Sequence, residues 1–516
     1  MITVKKGYNI FLVSIVILCL SIGFAAEAQE QDRFGGTLIF GISAGPTNLD
    51  LHSVTDASSR QISRNIWEGF AVLDANDEVQ PELAKKWEIS EDGLTWTFYL
   101  REGVLFHNGK EMTSEDAVAS AIRWAEVSRF SVILGSINSI NAIDKYTVEF
   151  KLDEKLGALL ALMAARNGGE MLIMPKEVCE GVPRGKITEY IGTGPYKLVE
   201  WKLDQQIKLA KFKDYKPLDL EPSGYAGKKN AYFDEIIFKF IPETSTLLAG
   251  LETGELDIIE PILPMEVNRL RENKEIVLQR YPKWHLQTIF NTKGIFQNQK
   301  LRQAAVMALD MEQIMLSVGK KQENIELNQS HFRKNSIWYT GQLEKYYNQK
   351  NTEGAKKLMQ EGGYNGEEII IIATKDYSWS FDSAISIVDQ LTKIGFNIKM
   401  EVFDWPTLVS RKNEFEGWDL FAAASSPRTD PVELTLSYVG GTGFYTSPVA
   451  VELMQIIAQE SSFEERYNAW AKMEDHAGQN PPSIVSGHLF EFRGLRSNIK
   501  GVPEFSITIL WNAYKE

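Results

Sequence analysis

The stretch from Pro81 to Trp124, PELAKKWEISEDGLTWTFYLREGVLFHNGKEMTSEDAVASAIRW, constrains the fold more tightly than any other part of the chain. Trp96, Phe98 and Leu100 alternate with Thr95, Thr97 and Tyr99, the period of two of a strand that packs one face and leaves the other more open. Glu91-Asp92-Gly93 ahead of it carries turn chemistry, and His107-Asn108-Gly109-Lys110 behind it holds the Asn-Gly pair favoured in tight hairpin turns. A helix follows. Thr113 stands at its N-cap with Asp116 three residues on, and Val118, Ala121, Ile122 and Ala125 recur at helical spacing along one face. Periodicity by itself reads only as strand, hairpin turn and helix, an order that many folds share.

The particular order WEIS, EDG, strand, REGV, FHNGK, T, SED, helix resembles the signature of the family 5 extracellular solute-binding proteins, the peptide and nickel receptors of ABC importers. The likeness continues through GTGPYKLVEW at Gly192, ETSTLLAGLETGELDII from Glu243 to Ile259, and the strand WHLQTIFN running into a helix capped by Asn298. It implies an α/β chain with a two-lobe periplasmic binding protein fold: mixed sheets, a hinge between the lobes and an extra subdomain in the first lobe. The implied boundaries are 1–28 for a signal peptide, 29–75, 190–285 and 487–516 for the core of lobe I, 76–189 for its extra subdomain, and 286–486 for lobe II. Crossings between lobes are expected near His285 to Asn291 and Ile484 to Phe490, with Val502 to Trp511 closing the first lobe.

Elsewhere the pattern fits. Ile369 to Thr374 reads as a strand apolar on both faces, Phe381 to Ile394 as a helix and Phe396 to Phe403 as a strand, a β-α-β order that argues for an α/β layer. Lys216 to Lys229, with two prolines and two glycines, reads as a surface loop. At the N-terminus Lys5 and Lys6 precede an apolar run from Ile10 to Phe24, and Ala26-Glu27-Ala28 offers small residues to a signal peptidase. The run falls short of the roughly 20 residues that span a bilayer. Cleavage is expected before Gln29, giving an exported periplasmic protein without a lipid, since the large Leu18 precedes Cys19 where lipid attachment wants a small residue. Loss of residues 1–28 leaves Cys179 as the sole cysteine, hence no internal disulfide, and takes the net charge from −14 to −15. That balance disfavours nucleic acid and anionic lipid as partners.

No catalytic or cofactor motif stands out. The six histidines show no helical metal-pair spacing, and the chain has no GxSxG elbow, Walker loop or paired-glycine dinucleotide turn. The expectation is no enzyme, no metal and no cofactor. A monomer is expected to hold a small solute, either a short peptide or a peptide-like compound, between lobes and deliver it to a permease with paired ATPases. An opine, an oligosaccharide, a metal chelate, or a sensing role beside a chemoreceptor are the alternatives. Candidate ligand contacts are Asn48 and Asp50 in a loop that the resemblance sets at the cleft edge, though a solvated loop reads equally well. Tyr377 and Trp379 lie in the loop after the Ile369 strand, where α/β sheets bind ligands, with packing between the lobes as the alternative role. Trp405 belongs to a family-like Asp404-Trp405 element and offers a stacking face. Arg428 suits a carboxylate or phosphate bidentately, or else pairs with Asp430 or another acid. Asp430 precedes Pro431. In peptide receptors of this family an acid four positions before that proline pairs with the peptide ammonium; here that position is Pro427, and an aromatic three residues earlier is replaced by Ala424. The departure points toward an anionic or planar ligand.

Overall fold

The computed structural model describes residues 33–516. The expected signal peptide and the cleavage point before Gln29 lie outside the described residues. The first part of the chain supplies β1 (Thr37–Ile42), β2 (Ala71–Leu73), β3 (Val79–Pro81), β4 (Ala84–Ile89), β5 (Thr95–Leu100), β6 (Ile137–Asp144) and β7 (Thr147–Leu152). β8 (Tyr196–Lys202), β9 (Gln206–Lys211), β10 (Glu235–Phe240), β11 (Ile258–Ile262) and β12 (Ile276–Phe290) follow. The remainder supplies β13 (Ile325–Glu326), β14 (Glu368–Thr374), β15 (Asn397–Phe403), β16 (Leu420–Ser425) and β17 (Ser483–Arg496).

Eleven strands form one mixed sheet in the order β15-β14-β16-β12-β17-β11-β1-β10-β9-β8, with β13 added beside β17. On one side β1 lies parallel to β10 and β11; on the other β14 lies parallel to β15 and β16. Parallel neighbours need crossover connections, supplied by the helices Thr244–Thr253 between β10 and β11 and Ser378–Ile394 between β14 and β15. The two parallel layers are joined by β12 and β17, which pair antiparallel with each other. At about 3.3 Å per residue, the 15-residue β12 extends roughly 50 Å, long enough to serve both layers.

The pairing of β12 with β17 shifts register between Pro282 and Trp284 and again between Leu286 and Gln287. Pro282 has no N–H to give to the ladder. Opposite, Gly487 takes φ +147°, and a side-chain carbon there would lie 2.6 Å from the Glu326 carbonyl. Such interruptions bend a strand pair and increase its twist, here midway between the two layers. His285 and His488 face each other at this point, with ring centroids 5.0 Å apart, and the ring of His331 lies 4.4 Å from that of His285. Burial lowers all three: His331 to about 3, His488 to about 4, and His285 well below the ordinary value. The three imidazoles are therefore neutral at neutral pH.

β4, β5, β7 and β6 make a separate antiparallel sheet. Trp96, Phe98 and Leu100 are buried as their alternation predicts, and Gly109 takes φ +85° in the Asn-Gly turn. The helix Ser114–Val127 carries the Thr113–Asp116 capping box. Its buried face differs from the expected one: Ala117, Ala121 and Trp124 are enclosed while Ile122 is 44% exposed. A second set of contacts explains this, since Ser120 donates to the Met174 carbonyl and Arg123 pairs with Asp50, holding the helix from another side. The apolar core under this sheet continues without a break through Met454, Ile457 and Trp470 of the helices Pro448–Gln459 and Phe463–Gln479.

Two other expectations are corrected. The segment Lys216 to Lys229 is not a surface loop throughout: Tyr225 is buried, and Lys229 is buried between Glu82 and Glu68. Two enclosed carboxylates require a cation, and the loop brings it. The helix expected from Phe381 begins at Ser378, so Trp379 sits in its first turn and Tyr377 at its N-cap, not in a free loop. Val502 and Leu510 join the core around β1 and β10, and Ile507, Ile509 and Trp511 pack on Val72 and Tyr225.

Glu474, in the helix Phe463–Gln479, is buried and accepts hydrogen bonds from Ser330 (2.6 Å) and Thr340. Burial raises its carboxyl from 4.5 to about 7. A raised carboxyl favours folding below 4.5 and loses that advantage as pH climbs through 7. Glu474→Gln should therefore match the parent near pH 4 and exceed it at pH 8, by on the order of 2–3 kcal/mol, as checked by urea unfolding at both pH values.

Candidate functional site

Where the bend in β12 meets the ends of β14 and β16, the chain encloses a cavity of about 580 Å³. One wall is aromatic. Tyr377 stacks on Trp379 with centroids 5.2 Å apart, Trp405 stands edge-on to both at 5.0 and 6.1 Å, and Trp284 lies 6.1 Å from Trp379. The sequence builds this wall from helix starts: Tyr377 occupies the N-cap position of one helix without a side-chain cap, and Asp404 caps the next by accepting from Thr407 N, which places Trp405 at its first position. Large rings project from the first turns because no earlier turn covers them. Arg60, Arg129, Lys283 and Arg428 line the same space, with Asp56 and Glu260 as its acids, and the Lys283 ammonium lies 5.9 Å from the Trp284 ring centroid.

The acids are already engaged. Asp56 caps the helix Ala57–Ser63 through Ser59 N at 2.8 Å, and Glu260 accepts from Thr508 at 2.7 Å between Lys283 and Arg493 at 3.8 and 3.7 Å. Arg129 pairs with Glu433 at 2.6 Å, and Arg428 reaches the same carboxylate only at 3.7 Å. Burial alone would raise Glu433, yet Arg129 and Arg428 outweigh it and hold the carboxyl at about 2. Arg60 has no carboxylate within 4 Å among the described residues; its guanidinium donates to the Arg166 carbonyl and to Asn167 Oδ1 at 3.2 and 3.1 Å. The Arg428 Nε, the Ser425 Oγ and the Trp379 Nε1 are buried with no hydrogen-bond partner among the described residues. Lys283 also lies 3.5 Å from Glu491, so the cations that line the space outnumber the acids that line it while Arg60 keeps no carboxylate of its own among the described residues, and donors are left open.

Of the residues singled out in the sequence, Tyr377, Trp379, Trp405 and Arg428 line this cavity. Asn48, Asp50 and Asp430 do not. Asn48 accepts from the Asp50 N–H at 3.0 Å and shapes its own turn. Asp50 is fully buried and paired with Arg123 at 2.6 Å, with a further hydrogen bond from Ser53 at 2.8 Å. Burial would raise its carboxyl, but these hydrogen bonds and the charge of Arg123 leave it lowered. Asp430 is buried against Arg466 at 2.5 Å and accepts from Val432 N at 2.9 Å, so it is not the partner of Arg428. Arg60, Arg129, Lys283 and Trp284 carried no local signal in the sequence; they meet only because elements hundreds of residues apart converge. Among the described residues no cluster of His, Cys, Asp and Glu is arranged to hold a metal ion.

The family described as "Bacterial extracellular solute-binding proteins, family 5 Middle" matches residues 78–446. The "Probable peptide ABC transporter periplasmic-binding protein y4tO" of Sinorhizobium fredii is 26% identical over 502 residues, covering 90% of this chain and 91% of the relative. The fold is shared with CtaP, an ABC transporter substrate-binding protein from Listeria monocytogenes (TM-score 0.80, 21% identity, 94% of this chain and 100% of that one). It is shared also with the PBP AgaA from A. tumefacien R10 in complex with agropinic acid (TM-score 0.76, 24% identity, 93% and 99%). The two-lobe periplasmic binding protein fold expected from the sequence is the fold of this chain.

The buried Asp50–Arg123 pair is structural, and its removal has a signature. Asp50→Ala strands a buried guanidinium and should cost about 3–5 kcal/mol, whereas Asp50→Ala with Arg123→Met should recover most of it. Urea unfolding of the three proteins checks this. A single variant as stable as the parent would return Asp50 to the set of candidate ligand contacts.

Proposed function

Because the chain belongs to the family 5 bacterial extracellular solute-binding proteins, we propose that it is the solute-binding subunit of an ABC importer for a small acid of peptide-like or opine-like character. The observation that carries the ligand class is the set of cations, Arg60 above all, that lines one cavity together with Trp284, Trp379 and Trp405. A carboxylate takes the open guanidinium donors, and a flat or apolar body lies on the rings. Two likenesses support the choice: a relative bears a peptide-transport name, and a protein of the same fold is described with agropinic acid. The protein acts in the periplasm after removal of residues 1–28, as a monomer, without catalysis and without nucleic acid. Its acidic balance and the signal-like N-terminus support this, and among the described residues no helix is long and apolar enough to cross a membrane.

Binding works by closure about the interrupted β12–β17 pair. The closed arrangement is held by contacts far apart in sequence: Arg129 to Glu433, Asn167 Nδ2 to the Pro427 carbonyl at 2.8 Å, and the N–H groups of Gly157 and Ala158 to the carbonyls of Gln459 and Ala458 at 3.1 and 3.0 Å. A ligand that touches both walls binds the closed form better than the open one, which is what shifts the population and marks the loaded protein for a permease.

Calorimetry against short peptides, opine-type acids, oligosaccharides and metal chelates tests the ligand class. Acids should bind best, and Arg60→Gln should weaken them by roughly 1.5–3 kcal/mol, the worth of a charged hydrogen bond. Tight binding of neutral sugars, indifferent to Arg60→Gln, would overturn it. Closure has its own test. A Cβ at Gly157 would lie 1.9 Å from the Glu460 carbonyl oxygen, so Gly157→Ala should abolish ligand-induced contraction in small-angle scattering and weaken binding several-fold, although Gly157 lines no wall of the cavity.

A further inference from the structure

Beyond Trp405 the cavity opens into a second chamber of about 250 Å³, and the two share Trp405, Ala424, Ser425 and Arg428 as common wall. The passage exists because β16 presents Ala423 and Ala424 where larger side chains would fill it. No Asp or Glu lines this chamber, whereas Lys412 and Arg428 both do. Lys412, at the end of the helix Trp405–Arg411, has no carboxylate within 4 Å among the described residues; its Nζ meets only Asn413 Oδ1 at 3.2 Å and Thr442 Oγ1 at 3.3 Å. His331 Nδ1, Ser425 Oγ and Arg428 Nε are buried there without hydrogen-bond partners among the described residues. Leaving several buried polar groups without partners, Lys412 without a carboxylate and Arg428 with only the shared, 3.7 Å contact to Glu433 is costly, and one anionic group would satisfy them together.

We propose that the second chamber is an acidic-end subsite: it takes a carboxylate at the far end of an elongated, peptide-like or opine-like solute, held by Lys412 and Arg428 past the edge of Trp405. The subsite rests on the reading of the main cavity above and adds to it that the cargo carries two anionic groups, one at each end. Trp405, which lines both chambers, contacts the stem that joins them. A phosphate ester presents the same charge with a different shape, and the test separates the two.

The test uses the mature protein and matched probes: alanyl-glutamate against alanyl-glutamine, an N-carboxyalkyl glutamate against its glutamine counterpart, and alanyl-phosphoserine. Calorimetry should show the acid member of each pair binding about tenfold or more tighter than its amide, in line with charged hydrogen bonds. In Lys412→Met the acid-to-amide ratio should fall to about one, and Lys412→Arg should restore it. Ala424→Phe, which plugs the passage, should remove the preference by a different route, and ligand-free melting temperatures show whether each variant is folded. A phosphoserine probe that outbinds the glutamate probes would overturn the carboxylate assignment. Acids and amides that bind alike, or a preference that survives in folded Lys412→Met, would overturn the subsite and leave the main cavity standing. Failure of every probe to bind would overturn the acid reading of the main cavity, and the subsite with it.

Discussion

The antiparallel pairing of β12 with β17 is the interaction on which the rest depends. Within each parallel layer a crossover helix links two of the strands, Thr244–Thr253 between β10 and β11 and Ser378–Ile394 between β14 and β15, but neither helix attaches one layer to the other. Two long strands perform that attachment, and their ladder is broken in its middle by Pro282 and by the glycine conformation of Gly487. A continuous ladder would make the molecule one stiff slab. The interruption keeps the layers tied by main-chain hydrogen bonds at both ends while removing a few from the centre, where bending is then cheapest. The three buried histidines at that point add no charge to desolvate, because burial keeps them neutral.

Cavity chemistry follows from the same geometry. Lys283 and Trp284 sit beside the break in β12, so their side chains leave the strand where its regular alternation fails. Arg428 leaves the loop after β16, and Arg60 comes from a helix capped by Asp56. Among these cations Arg129 obtains a carboxylate at 2.6 Å, Lys283 lies 3.5 Å from Glu491, and Arg60 has none within 4 Å among the described residues. Glu433 serves two guanidinium groups and cannot fully satisfy either. The surplus belongs to no single element; it appears when the elements are brought together.

How much of this was legible in the sequence depends on the range of the forces involved. β5, the Asn-Gly turn and the Thr113 cap are decided by neighbours in sequence, so periodicity and capping chemistry identify them without help. Ile122 was misplaced because a helix touched from two sides does not follow a single-stripe pattern, and the second side comes from Asp50 and Met174. Asp50 and Asp430, read as candidate ligand contacts, and Lys229, read as part of a surface loop, prove buried in ion pairs, each because its partner, Arg123, Arg466 or Glu82, arrives from a distant element. Trp405 and Arg428 drew attention through family-like neighbours. Arg60 had none, since a lone arginine in a short helix says nothing until Asn167 and the Arg166 carbonyl fix it beside the cavity.

Pro427 joins these threads. At the position where the resemblance expects an acid for a peptide ammonium, the chain places a residue without charge and without an N–H. Its carbonyl accepts from Asn167 Nδ2, and Asn167 Oδ1 in turn accepts from Arg60. One short chain of hydrogen bonds thus runs from the loop after β16, through Asn167, to the guanidinium that has no carboxylate within 4 Å among the described residues. Placing an acid at 427 would set a carboxylate near Arg60 and Arg428, neutralise the surplus and turn the cavity toward cationic groups. With proline there, the contact at this point, Asn167 Nδ2 to the Pro427 carbonyl, is neutral, and Arg60 keeps no carboxylate within 4 Å among the described residues. The same substitution that removes an ammonium anchor therefore creates the condition for holding an anion, and the two consequences cannot be separated.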